Sequence, residues 1–371
     1  LLLLFMKSLL TLLFSLSVAI AEDDLPINRL QFIGTHNSYH VAPTPAVHRL
    51  IEGLAKGEGD AIAYTHRPLR EQLTELGIRQ IELDLYHDPV GGLYARPLGA
   101  KLAGQAQEPH PAMLEPGLKI VHSPDFDFRT TVPTLRLALR ELRAWSEEFP
   151  DHEPVMVLLE LKDSSFSPTT KPPRFDAAAL RGLEAEILEE MPEARILMPD
   201  GVRGEFPSLR QAVIERGWPR LSEARGKFLF ALDNEGRLRD DYLALSPGKD
   251  GVGRVLFTSV DSDHPAAGWM KRNDPLGGGD EIRKLVKAGF LVRTRADANL
   301  REAKANDRSR FEKAAATGAQ WLSTDFPEPD PRWPDYQVAW PERAVFRVSP
   351  IEPANVKTSP DGGPPISPPR P

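Results

Sequence analysis

Between residues 30 and 326 short apolar runs recur, divided by helical patterns and loops, and this alternation most narrows what the chain can fold into. The runs cover 30–38, 78–86, 119–123, 154–162, 227–234, 255–262, 290–297 and 320–326. Strands alternating with helices read as a parallel sheet. Eight such strands predict an α/β fold closed into a single-domain, TIM-like (β/α)8 barrel. The spacing of Leu135, Leu139, Leu142 and Trp145 predicts a helix over 132–149, and that of Leu180, Leu183, Ile187 and Leu188 one over 175–191. Shorter helices are expected over 281–288 and 308–317, with Gly289 and Gly318 where C-terminal caps belong. Residues 38–67 and 88–116 read as long loops after the first two strands, on the rim where catalytic loops of such barrels sit.

The ends of the chain read differently. Lys7, the apolar stretch 8–20 and the small residues Ala19 and Ala21 have the pattern of an export signal over 1–21, preceding the acidic Glu22-Asp23-Asp24. The catalytic barrel is then expected over 22–345 and a Pro-rich disordered tail over 346–371, in a secreted or periplasmic protein. With Cys 0, no disulfide framework or thiol chemistry is available, so stability must come from packing. A net charge of -7 disfavours nucleic acid as a partner.

Chemistry-bearing side chains gather where the strands end. In Ile81-Glu82-Leu83-Asp84-Leu85 the two acids share one face and the aliphatic residues take the other. Acids pointing into a barrel repel each other by about 4 kcal/mol at ~4 Å with an effective dielectric near 20, so they need a counter-ion. Met156, Leu158, Glu160 and Lys162 repeat the arrangement and add a third carboxylate. Together with the Asn37 amide they form an all-oxygen set suited to a hard cation, with calcium fitting better than magnesium. An ordinary ion pair or a solvated strand edge is the plainer explanation of any one of these acids. His36 and His122 close the first and third strands and are able, as a pair, to remove and deliver protons near neutral pH. His40, His87 and His110 lie in rim loops, while His48, His66, His152 and His264 read as surface residues. Arg293, Arg295 and Asp297 share a face, and either the guanidinium forks bind phosphate or they form an internal ion-pair layer with Asp297 or Asp325. Lys162 is a further phosphate candidate.

On Gly34-Thr35-His36-Asn37-Ser38-Tyr39, Ile81-Glu82-Leu83-Asp84, Val121-His122-Ser123 and Leu159-Glu160-Leu161-Lys162, the chain resembles the calcium-dependent phosphatidylinositol-specific phospholipases C, in their compact secreted bacterial and fungal form. Arg293-Thr294-Arg295-Ala296-Asp297 and Ser323-Thr324-Asp325-Phe326-Pro327 resemble that group's late strands, so the resemblance runs over about 28–340. It implies a PLC-like phosphodiesterase barrel that cleaves a phosphoinositide at a membrane surface by attack of the inositol 2-hydroxyl, giving diacylglycerol and a cyclic inositol phosphate, either released as such or opened by water. It also implies Ca2+ held by Asn37, Glu82, Asp84 and Glu160, catalysis by His36 and His122, and phosphate contacts from Lys162, Arg293 and Arg295. In that reading His122 protonates the departing oxygen, while His36 takes the proton or supports the phosphorane. The protein is expected to act as a monomer and to meet the membrane through rim segments such as 86–97 or 267–270. A glycerophosphodiester phosphodiesterase is the nearest alternative, although such enzymes carry a basic residue soon after the first histidine, where this chain has Asn37-Ser38-Tyr39. A non-catalytic lipid-binding barrel and a glycoside hydrolase using Glu82 and Glu160 stand further off, since the latter gives the histidines no role.

Overall fold

The computed structural model describes residues 23–164 and 168–354. Ten strands form one sheet: β1 (Leu30–Thr35), β2 (Gln80–Asp88), β3 (Gly117–Ile120), β4 (Val155–Leu161), β5 (Phe228–Leu232), β6 (Phe257–Thr258), β7 (Trp269–Lys271), β8 (Leu291–Arg295), β9 (Trp321–Thr324) and β10 (Phe346–Val348). The order β6-β5-β4-β2-β1-β9-β8-β7 is parallel at every step, which makes a nearly closed eight-stranded α/β barrel. Its seam lies between β6 and β7, where the Lys271 amide donates to Ser259 Oγ at 3.1 Å.

Two of the ten strands correct the expected topology. The run at 119–123 is not a barrel strand, because β3 pairs antiparallel with the outer end of β2, from Leu85↔Ile120 to Asp88↔Gly117. A four-residue segment, Gly-Leu-Lys-Ile, carries no information about its direction. The missing eighth parallel strand is β7, whose three residues are too few to show a period. The chain also does not leave the barrel at 346, since β10 pairs antiparallel with β1 through Leu30↔Val348 and Phe32↔Phe346. The proposed signal at 1–21 and the tail beyond Ala354 lie outside the described residues.

Alternation along the strands divides the core. Val155, Val157, Leu159 and Leu161 pack outward with Ile81, Leu83, Leu135, Leu139, Leu180 and Leu183. Phe32, Met156, Leu158, Leu229, Ala231 and Trp321 fill a separate cluster from the opposite faces. The helix Leu135–Glu148 buries Leu135, Leu139, Leu142 and Trp145, and Thr134 Oγ1 caps it by accepting from the Leu137 amide. The helix Ala177–Glu190 is capped by Asp176, which accepts from Ala178 and Ala179. Both expected helices therefore form, two or three residues shorter at their starts.

One close approach sets the mouth of the barrel. Gly34 faces Gln80 in register, and a Cβ on Gly34 would lie 2.3 Å from Gln80 Oε1. Only glycine lets the Gln80 side chain lie across β1, where its Nε2 donates to the Thr35 carbonyl at 3.0 Å. Just beyond, the Ser38 amide donates to the Glu82 carbonyl at 2.9 Å, and the Glu82 amide donates to Ser38 Oγ at 2.8 Å. The segment carrying His36 and Asn37 is thereby fastened beside Glu82.

Candidate active site

The inward faces of β2 and β4 change from apolar to acidic as they reach the mouth. Asp84 pairs in register with Glu160, and Glu82 with Leu158, so the acids rise on adjacent strands. Glu82, Asp84 and Glu160 each offer a carboxylate oxygen within 4.8 Å of the others. Glu82 and Asp84 are buried and Glu160 is partly open. Asn37 adopts φ 46, a left-handed conformation that asparagine tolerates, and its Nδ2 donates to the Tyr64 hydroxyl at 3.1 Å. Among the described residues, that leaves Asn37 Oδ1 buried without a hydrogen-bond partner. Both Asp84 oxygens are likewise without one, although Lys162 Nζ stands 3.1 Å from Oδ2 as an ion pair. Buried oxygens left unsatisfied beside a carboxylate trio are the donor set of a hard cation.

The positive side chains are already engaged. Arg293 contacts Glu82 through Nη2 and reaches Asn273 Oδ1 through Nη1 at 2.6 Å. Arg295 Nη2 lies 3.0 Å from Asp325 Oδ2. Between the two arrangements open for this face, the structure forms the ion-pair layer. Lys162 Nζ lies 2.8 Å from Glu160 Oε2.

The two histidines reach the mouth from different directions with different partners. His36 Nδ1 is 2.8 Å from Asp325 Oδ1, and its Nε2 is 3.7 Å from Glu82 Oε1. Burial and Arg295 hold its pKa well below the ordinary imidazole value, against the upward pull of Asp325. His36 is therefore neutral, with its proton on Nδ1 facing the carboxylate and a lone pair on Nε2 facing the acids. His122 lies past the end of β3, with Nδ1 2.8 Å from Asp127 Oδ2. Burial lowers the His122 pKa, but the hydrogen bond and charge of Asp127 outweigh it and the net shift is upward. Two imidazoles pushed in opposite directions suit a base and an acid.

The Ca2+-dependent phosphoinositide phospholipase C family model matches residues 25–350. The chain belongs to this family. It is thus a phospholipase C-type enzyme of a calcium-dependent group. No curated protein matches it. Among solved structures, a calcium-dependent phosphoinositol-specific phospholipase C from Pseudomonas sp, in its apo form, superposes with TM-score 0.53 at 14% identity, covering 88% of this chain and 96% of that one. A Ca2+-dependent phosphatidylinositol-specific phospholipase C from Streptomyces antibioticus gives TM-score 0.54 at 16% identity, with 81% and 95% covered. At such identities the two structures speak for the barrel fold.

Within this phospholipase C barrel, several groups around the site escaped the sequence reading. Asp127 accepts from His122 and also lies 2.9 Å from His40 Nε2 through both oxygens, so it joins two rings. Its position five residues after His122 in a turn was the available signal. Asp233, at the end of β5, raises the carboxyl pKa values of Glu82 and Glu160 by its charge and is paired with Lys271 at 2.7 Å. An acid closing a strand was the signal there. His66 and His152 are buried, not superficial, and His66 Nε2 donates to the His36 carbonyl at 2.9 Å. The rim segment expected at 267–270 is also buried, with Trp269 fully enclosed in β7.

Burial, then the neighbouring Asp84, raises Glu160 to about 7, and burial with Asp233 and Asp84 lifts Glu82 above the carboxylate range against the pull of Arg293. A raised carboxyl holds its proton as pH falls through the raised value, and a cation must displace that proton. Calcium affinity is therefore expected to fall between pH 8 and pH 6 by about tenfold or more. Calorimetric titration in two buffers of different ionisation enthalpy should show proton release, and identical heats in both would contradict it.

Proposed function

We propose that this phospholipase C cleaves phosphatidylinositol on the diacylglycerol side of phosphorus, with the inositol 2-hydroxyl as nucleophile. Asn37, Glu82, Asp84 and Glu160 hold the Ca2+. What carries this reading is the pair of histidines with opposed acidities, each held at Nδ1 by an aspartate, together with the carboxylate trio. The calcium, when bound, neutralises phosphate charge and acidifies the attacking hydroxyl.

The residues supply the rest. His36 Nε2 takes the hydroxyl proton as the new O–P bond forms, and Asp325 stabilises the resulting imidazolium. His122 gives its Nε2 proton to the diacylglycerol oxygen as the old P–O bond breaks, leaving cyclic inositol phosphate. Lys162, with 21% of its side chain exposed, is the cation placed to meet a phosphate oxygen. Arg293 and Arg295 act through Glu82 and Asp325, orienting those acids by ion pairs.

The membrane is met by the loops that follow β1 and β2. Leu54, Val90, Leu93, Leu102 and Leu114 stand exposed on these loops, Val90 at 82%. The Gly92 amide donates to the Met113 carbonyl at 3.0 Å, which holds the Val90–Leu93 and Leu114 tips together. Their apolar surface is offered to lipid on the side from which substrate must enter. Among the described residues no helix is long and apolar enough to cross a membrane. An enzyme exported by the signal expected at 1–21 would meet its lipid in this way.

Three measurements test these assignments. Phosphatidylinositol vesicles should be turned over with calcium, not with chelator, and again when calcium is restored, releasing inositol phosphate and no glycerol phosphate. Activity indifferent to chelator would remove the metal assignment. Asp127→Asn should lower the His122 pKa, so that the acid loses its proton at lower pH. The alkaline limb of the pH–rate profile then moves down by about one unit and kcat falls about 10- to 100-fold, whereas an unmoved limb speaks against His122 as the acid. Val90→Asp combined with Leu93→Asp should weaken vesicle sedimentation and vesicle turnover while sparing a short-chain soluble substrate; equal loss on both would exclude a lipid-docking role.

A further inference from the structure

Three cations stand around the carboxylate trio and the neighbouring Asp233, and they are held in different ways. Arg293 is almost wholly buried and is fixed by Glu82 and Asn273. Lys271 is tied to the Asp233 carboxylate at 2.7 Å and to the Asp233 carbonyl at 2.6 Å. Lys162 is anchored by its backbone, whose amide donates to the Leu85 carbonyl at 2.8 Å. Among the described residues, its ammonium makes its contacts with Asp84 and Glu160, two of the acids assigned to calcium.

We propose that Lys162 is a tethered competitor of the divalent cation: its ammonium neutralises Asp84 and Glu160 until the ion binds, and it must leave at least one of them for the ion to enter. This rests on the reading of Glu82, Asp84 and Glu160 as calcium ligands. The ammonium lies 3.1 Å and 2.8 Å from oxygens that a cation would claim, and two cations on the same oxygens repel each other. Asp84 is fully buried, and a buried carboxylate without a partner is strongly destabilising, so the trio needs a counter-charge whether or not the metal is present. Lysine is well suited to such a role, because its charge sits on a flexible four-carbon stem and its partly open side chain has solvent to move toward. Once displaced, the ammonium is free to face the substrate phosphate, so metal loading and anion binding become linked through one side chain.

A second cluster shows the contrast. His48, Glu52 and Asp60 also bring ligand atoms within 4.8 Å. There the Glu52 oxygens accept from the Gly57 and Asp60 amides, and Asp60 is bonded by His48 and Lys304. That group is a closed loop staple. The Asp84 oxygens, by contrast, accept no hydrogen bond among the described residues, and Oδ2 faces an ammonium on a flexible stem.

Calorimetric titration of the wild type and Lys162→Met with calcium chloride alone tests the proposal, with circular dichroism as the check on folding. The variant is expected to bind calcium about tenfold more tightly or better, equivalent to about 1.4 kcal/mol of relieved competition. Its thermal midpoint in chelator should lie below that of the wild type and recover when calcium is added. Equal or weaker affinity in a folded variant, with calcium binding intact in the wild type, overturns the proposal alone. Absence of calcium binding by both proteins overturns the ligand assignment and the proposal with it. Should the variant not fold, the wild type decides: the side-chain ammonium resonance of Lys162, assigned by its loss in Lys162→Arg, should shift when calcium replaces chelator. A resonance that stays in place overturns the proposal.

Discussion

Several acids share the mouth of one barrel, and the repulsion among them is the constraint to which the rest of the structure answers. Glu82, Asp84, Glu160 and Asp233 lie on three neighbouring strands or just past their ends, and parallel pairing in register forces them together. Each requires a counter-charge or a proton, because a charge removed from water is costly unless paired. Arg293, Lys271 and Lys162 supply part of the compensation. The rest is left as unsatisfied oxygens and raised carboxyl pKa values in one place, a set that a divalent cation would complete.

The same crowding sorts the two histidines. His36 lies within the field of Arg295 and is kept neutral, although Asp325 is in contact with it. His122 sits on a loop away from the arginines, where Asp127 dominates and favours the charged ring. Neither role follows from the residue type. Asp127 is itself held well below the carboxylate range by His40 and His122, against its burial, so one anchored carboxylate joins both rings. The Tyr86 hydroxyl, which donates to the His122 carbonyl at 3.3 Å, helps to hold that loop over the trio.

Much of this was legible because strand periodicity is local. The alternation Ile81-Glu82-Leu83-Asp84-Leu85 assigns the acids to one face without reference to any other segment, and the structure places Ile81, Leu83 and Leu85 in the outer cluster accordingly. The amphipathic stripes of Leu135–Glu148 and Ala177–Glu190 were equally readable, as were Gly289 (φ 99) and Gly318 (φ 81) past their helices. What failed was short or directional. β3 looked like a barrel strand because so short a run does not disclose whether its partner runs parallel, and β7 was missed because three residues show no period. His66 and Trp269 looked superficial because burial depends on what packs over a loop, and that cover comes from distant parts of the chain.

The amino-acid order by itself determined which side chains share a strand face, which stretches make helices, and that Glu82 with Asp84, and Glu160 with Lys162, alternate with apolar neighbours; these depend on neighbours one to four residues away. The tertiary structure alone decided that Arg293 would neutralise Glu82, that His36 would fall to Asp325 across 289 residues, and that Lys162 would lie between two of the acids. Charge pairing acts through space over a few ångströms. Until the barrel closes, no position in the chain states which opposite charges will come within that distance.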